Sequence, residues 1–113
     1  PLTAKTDQFF DERIFQLAAE AFFINVGRAA TVVPEALRHA LDNGSLRRAV
    51  LDVLVDEPAP KGSEWWKYPN TILTPHTAGV TDPADVLMDF RSCWEAMQQR
   101  QRPELAVNVS RGY

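Results

Sequence analysis

Three short apolar runs, each stopped by a polar turn, constrain this chain more than any other feature. Ala21-Phe-Phe-Ile-Asn25, Ala49-Val-Leu-Asp-Val-Leu-Val55 and Asn70-Thr-Ile-Leu-Thr74 are the length of strands rather than of core helices. The first is expected to be buried on both faces, as strands of a parallel sheet are. The segments between them carry helical spacing. Asp11 to Leu17 reads as a short helix with an acidic start and a buried side of Ile14, Phe15 and Leu17. Pro34 to Asp42 has Pro in its first turn and Leu37, Ala40 and Leu41 on one stripe, and Asn43-Gly44 supplies a left-handed cap. Glu64 to Tyr68 fits a single helical turn. Asp82-Pro83 opens a long helix whose apolar face is Val86, Leu87, Phe90, Cys93, Trp94 and Met97.

Strands alternating with helices predict an α/β fold with parallel strands and helices on the faces. Three strands make a thin sheet, so half of a doubly wound sheet explains the pattern better than a complete small domain. The chain opens on Pro1 with a loop-like Pro-Leu-Thr, and is expected to be the C-terminal part of a longer protein. Its 113 residues allow one domain at most. A net charge of −3 with acids and bases mixed argues against a nucleic-acid surface. No apolar run approaches the ~20 residues of a membrane span, and no signal peptide is visible. One cysteine, Cys93, excludes an internal disulfide and fits a reducing compartment. The expectation is a cytoplasmic protein without nucleic-acid or membrane partners.

Each strand is followed by one residue that can do chemistry: Arg28, Glu57 and His76. If the strands are parallel neighbours, all three come from one edge of the sheet, where ligands of open α/β sheets bind. Arg offers a planar fork that matches a carboxylate. His gives or takes a proton near neutral pH. A Glu on its ring would fix the tautomer and favour the charged form. Taken singly, each has a plainer reading. A lone loop Arg is ordinarily a solvated charge, and Glu57 lies in an acidic, Pro-rich loop. The Trp65-Trp66 pair reads as packing, and His39 as exposed. Asp52, inside a run of Val and Leu, either ends the strand or binds something, because a carboxylate buried without partners is costly.

Asn25-Val-Gly-Arg28, Leu51-Asp-Val53 through Glu57-Pro58, and Pro69-Asn70 to Thr74-Pro-His76-Thr-Ala-Gly79 together resemble the D-isomer-specific 2-hydroxyacid dehydrogenases, and the glyoxylate/hydroxypyruvate reductase branch in particular. The resemblance runs the length of the chain. It implies the second half of a Rossmann-like NAD(P) domain over residues 1–79. Residues 80–113 would then be a return helix and tail belonging to the substrate domain. It also implies the catalytic set Arg28, Glu57 and His76: a clamp for the substrate carboxylate, the partner of the histidine, and the proton donor. Asp52 falls near the nicotinamide. Val26, Gly27, Arg28, His76, Thr77, Ala78 and Gly79 would contact the cofactor, and Pro1 to Thr6 would lie beside its ribose and diphosphate. No metal ligand is implied. The activity would be hydride transfer between NAD or NADP and a small 2-oxo or D-2-hydroxy acid, by a parent that is a homodimer.

Two departures from the family pattern stand out. Ala29 replaces the usual Gly after the Arg, which would strain the loop if that position needs a positive φ. Leu54 and Val55 replace an aromatic and often an acid. No G-x-G-x-x-G occurs, so the phosphate-binding turn must lie upstream and the 113 residues alone should be inactive. The alternative is a non-catalytic NAD sensor or interaction protein on the same fold. The intact trio favours an enzyme.

Overall fold

Asp11 caps the first helix: its side chain accepts a bond from the Ile14 amide, 3.1 Å, and α1 runs Glu12–Gln16. The computed structural model describes residues 2–110, which fall into two compact units, Pro1–Ala78 and Gly79–Tyr113. In the first unit α1 is followed by β1 (Ala21–Asn25), a 3-10 turn (Ala29–Thr31), α2 (Pro34–Asp42), β2 (Leu46–Leu51), a second 3-10 turn (Glu64–Trp66) and β3 (Thr71–Leu73). All pairings are parallel and the strand order is β1-β2-β3. The predicted α/β class and parallel sheet are therefore observed. Parallel pairing puts the carboxyl ends of the three strands on one edge.

The core lies between the sheet and the two helices. Phe15 of α1, Ala36, Leu37, Ala40 and Leu41 of α2, and Leu46, Ala49 and Leu51 of β2 are all buried. Phe15 meets Phe10 and Phe23 in a ring cluster at 5.1–6.3 Å centroid separations. Replacing Leu37, which is 2% exposed, by Ala should lower unfolding free energy by ~2–5 kcal/mol. Urea denaturation monitored by circular dichroism measures it.

Three expectations need correction. The first strand is not buried on both faces. Its residues alternate, with Phe22 and Ile24 more than 60% exposed while Phe23 packs on the core. Both helices cover the same face, and the other is open. Of the first helix, Phe15 is buried but Leu17 is 78% exposed, because it stands past the last turn as the C-cap. The second strand runs Leu46–Leu51 rather than Ala49–Val55. Arg47 and Arg48 are polar, yet Arg48 pairs with Phe22 of β1, while Arg47 falls at a register shift and reaches out to Glu20. At the far end the Asp52 amide still bonds to the Asn25 carbonyl, 3.0 Å, and the chain then leaves the sheet.

The 3-10 turn at Glu64–Trp66 is tied to α2. Arg38 pairs with Glu35 and Glu64 and lies over the Trp65 ring, and the Tyr68 hydroxyl donates to Asp42. Trp65 packs on the core, as read. Trp66 is half exposed and its indole N–H donates to the Pro60 carbonyl. His39 is exposed and lies 3.4 Å from Glu12. Gly44 sits at φ +79°, the left-handed turn expected of it.

The second unit contains α3 (Pro83–Gln98), capped by the Asp82 side chain on the Ala84 amide, 2.8 Å. Phe90 and Trp94 stack at 6.5 Å. Its expected apolar face is present, but Val86, Leu87, Phe90, Trp94 and Met97 are each more than half exposed. No described helix is long and apolar enough to cross a membrane.

Candidate active site

The turn after β1 is built by Asn25. This side chain is 8% exposed. Its amide oxygen accepts from the Gly27 N–H, 3.1 Å, and its amide nitrogen donates to the Arg28 carbonyl, 3.3 Å. Asn side chains commonly close turns onto the backbone two residues on. Arg28 is thereby delivered, exposed, at the end of a strand. Its guanidinium donates to the Gly27 carbonyl, 2.8 Å. Ala29 begins a 3-10 turn and is not among the residues with positive φ, so the missing Gly imposes no strain.

Glu57 and His76 come together although 19 residues separate them. His76 Nδ1 lies 2.7 Å from Glu57 Oε2, and Glu57 Oε1 accepts the Leu54 N–H at 2.8 Å. Hydrogen bonding to His76, then to the Leu54 amide, holds the Glu57 carboxyl below its ordinary pKa. An ionised carboxylate only accepts, so Nδ1 carries a hydrogen and Nε2 is left as the working atom. The pair borders an apolar cleft of about 540 Å³ walled by Leu54, Pro58, Trp66 and Pro75. A carboxylate with a lowered pKa, bonded to a histidine beside an apolar cleft, is a common form of a small-molecule site.

Asp52 lies one residue past β2 and is 3% exposed. It stands at the end of the strand, and its partners lie within the chain. Its carboxylate accepts from the Thr74 hydroxyl, the Thr77 amide at 2.9 Å and the Ala78 amide at 3.0 Å. Its carbonyl accepts the His76 N–H at 3.0 Å. The bond from Thr74 is the largest cause that keeps the Asp52 carboxyl below its ordinary pKa, against desolvation. The partners of this buried acid are the residues flanking His76. His76 itself has φ +54°, a conformation rare for a residue with a Cβ.

Of the expected site residues, Glu57, His76, Asp52, Thr77 and Ala78 thus form one hydrogen-bonded group. Val26, Gly27 and Arg28 stand at the carboxyl end of the neighbouring strand, all exposed. Thr6 bonds within its own loop, its hydroxyl accepting the Thr3 amide at 2.8 Å. Gly79 begins the second unit, and Pro1 lies outside the described residues. Two contributors escaped the sequence reading. Asn25 was legible, because an Asn two residues before a Gly at a strand end signals a side-chain turn. Thr74 was not, since only its contact with Asp52, 22 residues away, distinguishes it.

As a dinucleotide site the edge is partial. Exposed Val26, the Cβ-free Gly27 and the residues after β3 offer apolar and backbone contacts for a flat ring. No glycine-rich turn for phosphates occurs in the sequence.

Comparison with known proteins agrees with this picture. Residues 1–78 match the family described as D-isomer specific 2-hydroxyacid dehydrogenase, NAD binding domain. A Streptomyces coelicolor protein from the mprR 3′ region is 51% identical over the whole chain, which covers 41% of that protein. Glyoxylate/hydroxypyruvate reductase A of Serratia proteamaculans is 35% identical, again over the whole chain and 36% of the enzyme. The chain thus spans about two fifths of the length of these relatives. A D-isomer specific 2-hydroxyacid dehydrogenase of Xanthobacter autotrophicus, solved with NADPH and MES, superposes over the whole chain and 47% of its own with a TM-score of 0.90 at 32% identity. The strand-end residues, the parallel sheet and these likenesses agree: the chain belongs to the D-isomer specific 2-hydroxyacid dehydrogenase family, through its NAD-binding domain.

Proposed function

We propose that this chain is the C-terminal part of a reductase that converts a small 2-oxo acid of the glyoxylate or hydroxypyruvate kind to its 2-hydroxy acid with NAD(P)H. The 2.7 Å pairing of Glu57 with His76 carries the reading. A sensor that merely binds a dinucleotide has no need of an oriented proton donor. The dinucleotide, when bound, supplies the hydride. Arg28 pairs its guanidinium with the substrate carboxylate and polarises the ketone. As C2 becomes tetrahedral, His76 passes the Nε2 proton to the forming alkoxide and keeps its Nδ1 hydrogen on Glu57. Glu57, held ionised, keeps the ring in that orientation. Residues 80–113 belong, in this reading, to the substrate domain, and the whole protein acts as a homodimer in the cytoplasm.

The test is NADPH oxidation, with glyoxylate and with hydroxypyruvate. The longer polypeptide that contains this chain turns over. The 113 residues alone, without a glycine-rich turn, do not. Enzyme-like turnover by the 113 residues alone would overturn the assignment of the phosphate site to another segment. Arg28→Lys keeps the charge but loses the bidentate fork, so KM for glyoxylate rises while NADPH binding, measured by fluorescence, stays. An unchanged KM would remove Arg28 as the clamp.

A further inference from the structure

We propose that Thr74 is a positioning residue for His76, acting through Asp52, a role that rests on the reductase reading above. The loop 75–78 is exposed throughout, so packing does not hold it. His76 is also in the left-handed backbone region, φ +54°, which a side chain with a Cβ disfavours. Such a conformation persists only where the surroundings over-determine it. Here one buried residue, Asp52, holds the backbone on both flanks, while Glu57 holds the imidazole. Asp52 takes a bond from Thr74, two residues before His76, and from Thr77 and Ala78, the two residues after it. The Asp52 carbonyl takes the His76 amide itself. The loop is thus pinned on both flanks to the end of β2, and the imidazole is aimed from the middle of the clip.

Thr74 is the one side-chain member of the clip on the His76 side. It stands where β3 leaves the sheet, its amide still bonded to the Leu51 carbonyl at 3.1 Å. Its hydroxyl is also the largest cause that holds the Asp52 carboxyl below its ordinary pKa. Without the hydroxyl, the carboxylate is held by Thr77 and Ala78 alone, on one flank of the histidine. The backbone of His76 can then relax toward negative φ, which swings Nε2 away from its working direction.

Thr74→Val keeps the shape and the β-branch but removes the hydroxyl, and Thr74→Ser does the reverse. Two readouts are taken. In the 113-residue chain, amide hydrogen exchange of Thr77 and Ala78 is followed by NMR, with Val50 of β2 as the reference. Thr74→Val should speed exchange at Thr77 and Ala78 by roughly tenfold, the scale of one hydrogen bond to a charged group, with Val50 unchanged. In the longer polypeptide, kcat for glyoxylate should fall by roughly tenfold while KM for NADPH holds. Thr74→Ser should restore both. The proposal is overturned if Thr77 and Ala78 exchange as in the wild type. It is overturned if Val50 accelerates equally, which would mean general destabilisation, or if Thr74→Ser behaves like Thr74→Val. Should the wild-type polypeptide lack reductase activity, the functional reading fails, and amide exchange still decides whether the clip exists.

Discussion

His76→Gln is expected to reduce turnover of glyoxylate by about 10²–10⁴-fold, the usual contribution of a positioned general acid. KM for NADPH should stay nearly unchanged. Gln fills a similar volume and its amide can still donate to Glu57, so the loop and the cleft survive. What is lost is a proton that can move. The structure narrows the effect to one atom. Nδ1 is committed to Glu57 at 2.7 Å, which leaves Nε2 for the proposed proton transfer. Glu57→Gln provides the companion measurement. A neutral amide can hold the ring but no longer stabilises the positive charge that a proton-donating imidazole carries, so kcat should fall while KM for NADPH holds. Stopped-flow NADPH oxidation under saturating and limiting cofactor separates the two effects. If His76→Gln lowered NADPH binding while turnover per bound site held, the histidine would be a binding residue and not the proton donor.

Asp52→Asn is expected to lower kcat by about 10²-fold, the scale of a ~1 Å misplacement of a catalytic group. Asn is nearly isosteric, so no cavity opens. It has one acceptor oxygen where Asp has two, and its NH₂ turns hydrogens toward groups that are themselves donors. The Thr74 hydroxyl and the Thr77 and Ala78 amides cannot all be served, and the clip on His76 opens. The substitution has a second signature. Asp52 is held below its ordinary pKa in the fold, chiefly by Thr74. A carboxyl whose folded pKa is lowered adds stability that is present above the unfolded value, ~3.9, and disappears as pH falls through the folded one. Glu57 behaves in the same sense, through His76. The wild type should therefore lose stability on acidification below about pH 4. Asp52→Asn should flatten part of that decline and leave the part due to Glu57. Urea midpoints across the acid range measure the slope, and identical slopes would mean that Asp52 binds its proton equally well folded and unfolded.

Much of the site could be read from the chain because the positions of its residues are local facts. An apolar run of four followed by Asn, Val, Gly and Arg places Arg28 at a strand end whatever surrounds it. Thr-Pro-His does the same for His76, and Pro34 with the Leu37, Ala40 and Leu41 stripe marks α2. Strands that alternate with helices pair in parallel, because a crossover returns each strand in the same direction. From that alone, Arg28, Glu57 and His76 share an edge.

Tertiary structure decided what depends on partners distant in sequence. The extent of β2 is set by pairing with β1, which begins at Leu46 and carries two arginines that a hydrophobic pattern rejects. The open face of the sheet, with Phe22 and Ile24 outward, follows from where the helices pack, and hydrophobicity does not tell one covered face from two. The 2.7 Å contact of Glu57 with His76 required the chain to fold back across 19 residues. Only in the fold does Asp52 change from a costly acid among valines to the anchor of the histidine loop. A buried carboxylate is tolerable only with donors around it, and those donors lie 22 to 26 residues away. The sequence by itself determined which chemistry stands at the strand ends; long-range hydrogen bonds to one buried charge decided how the histidine is aimed.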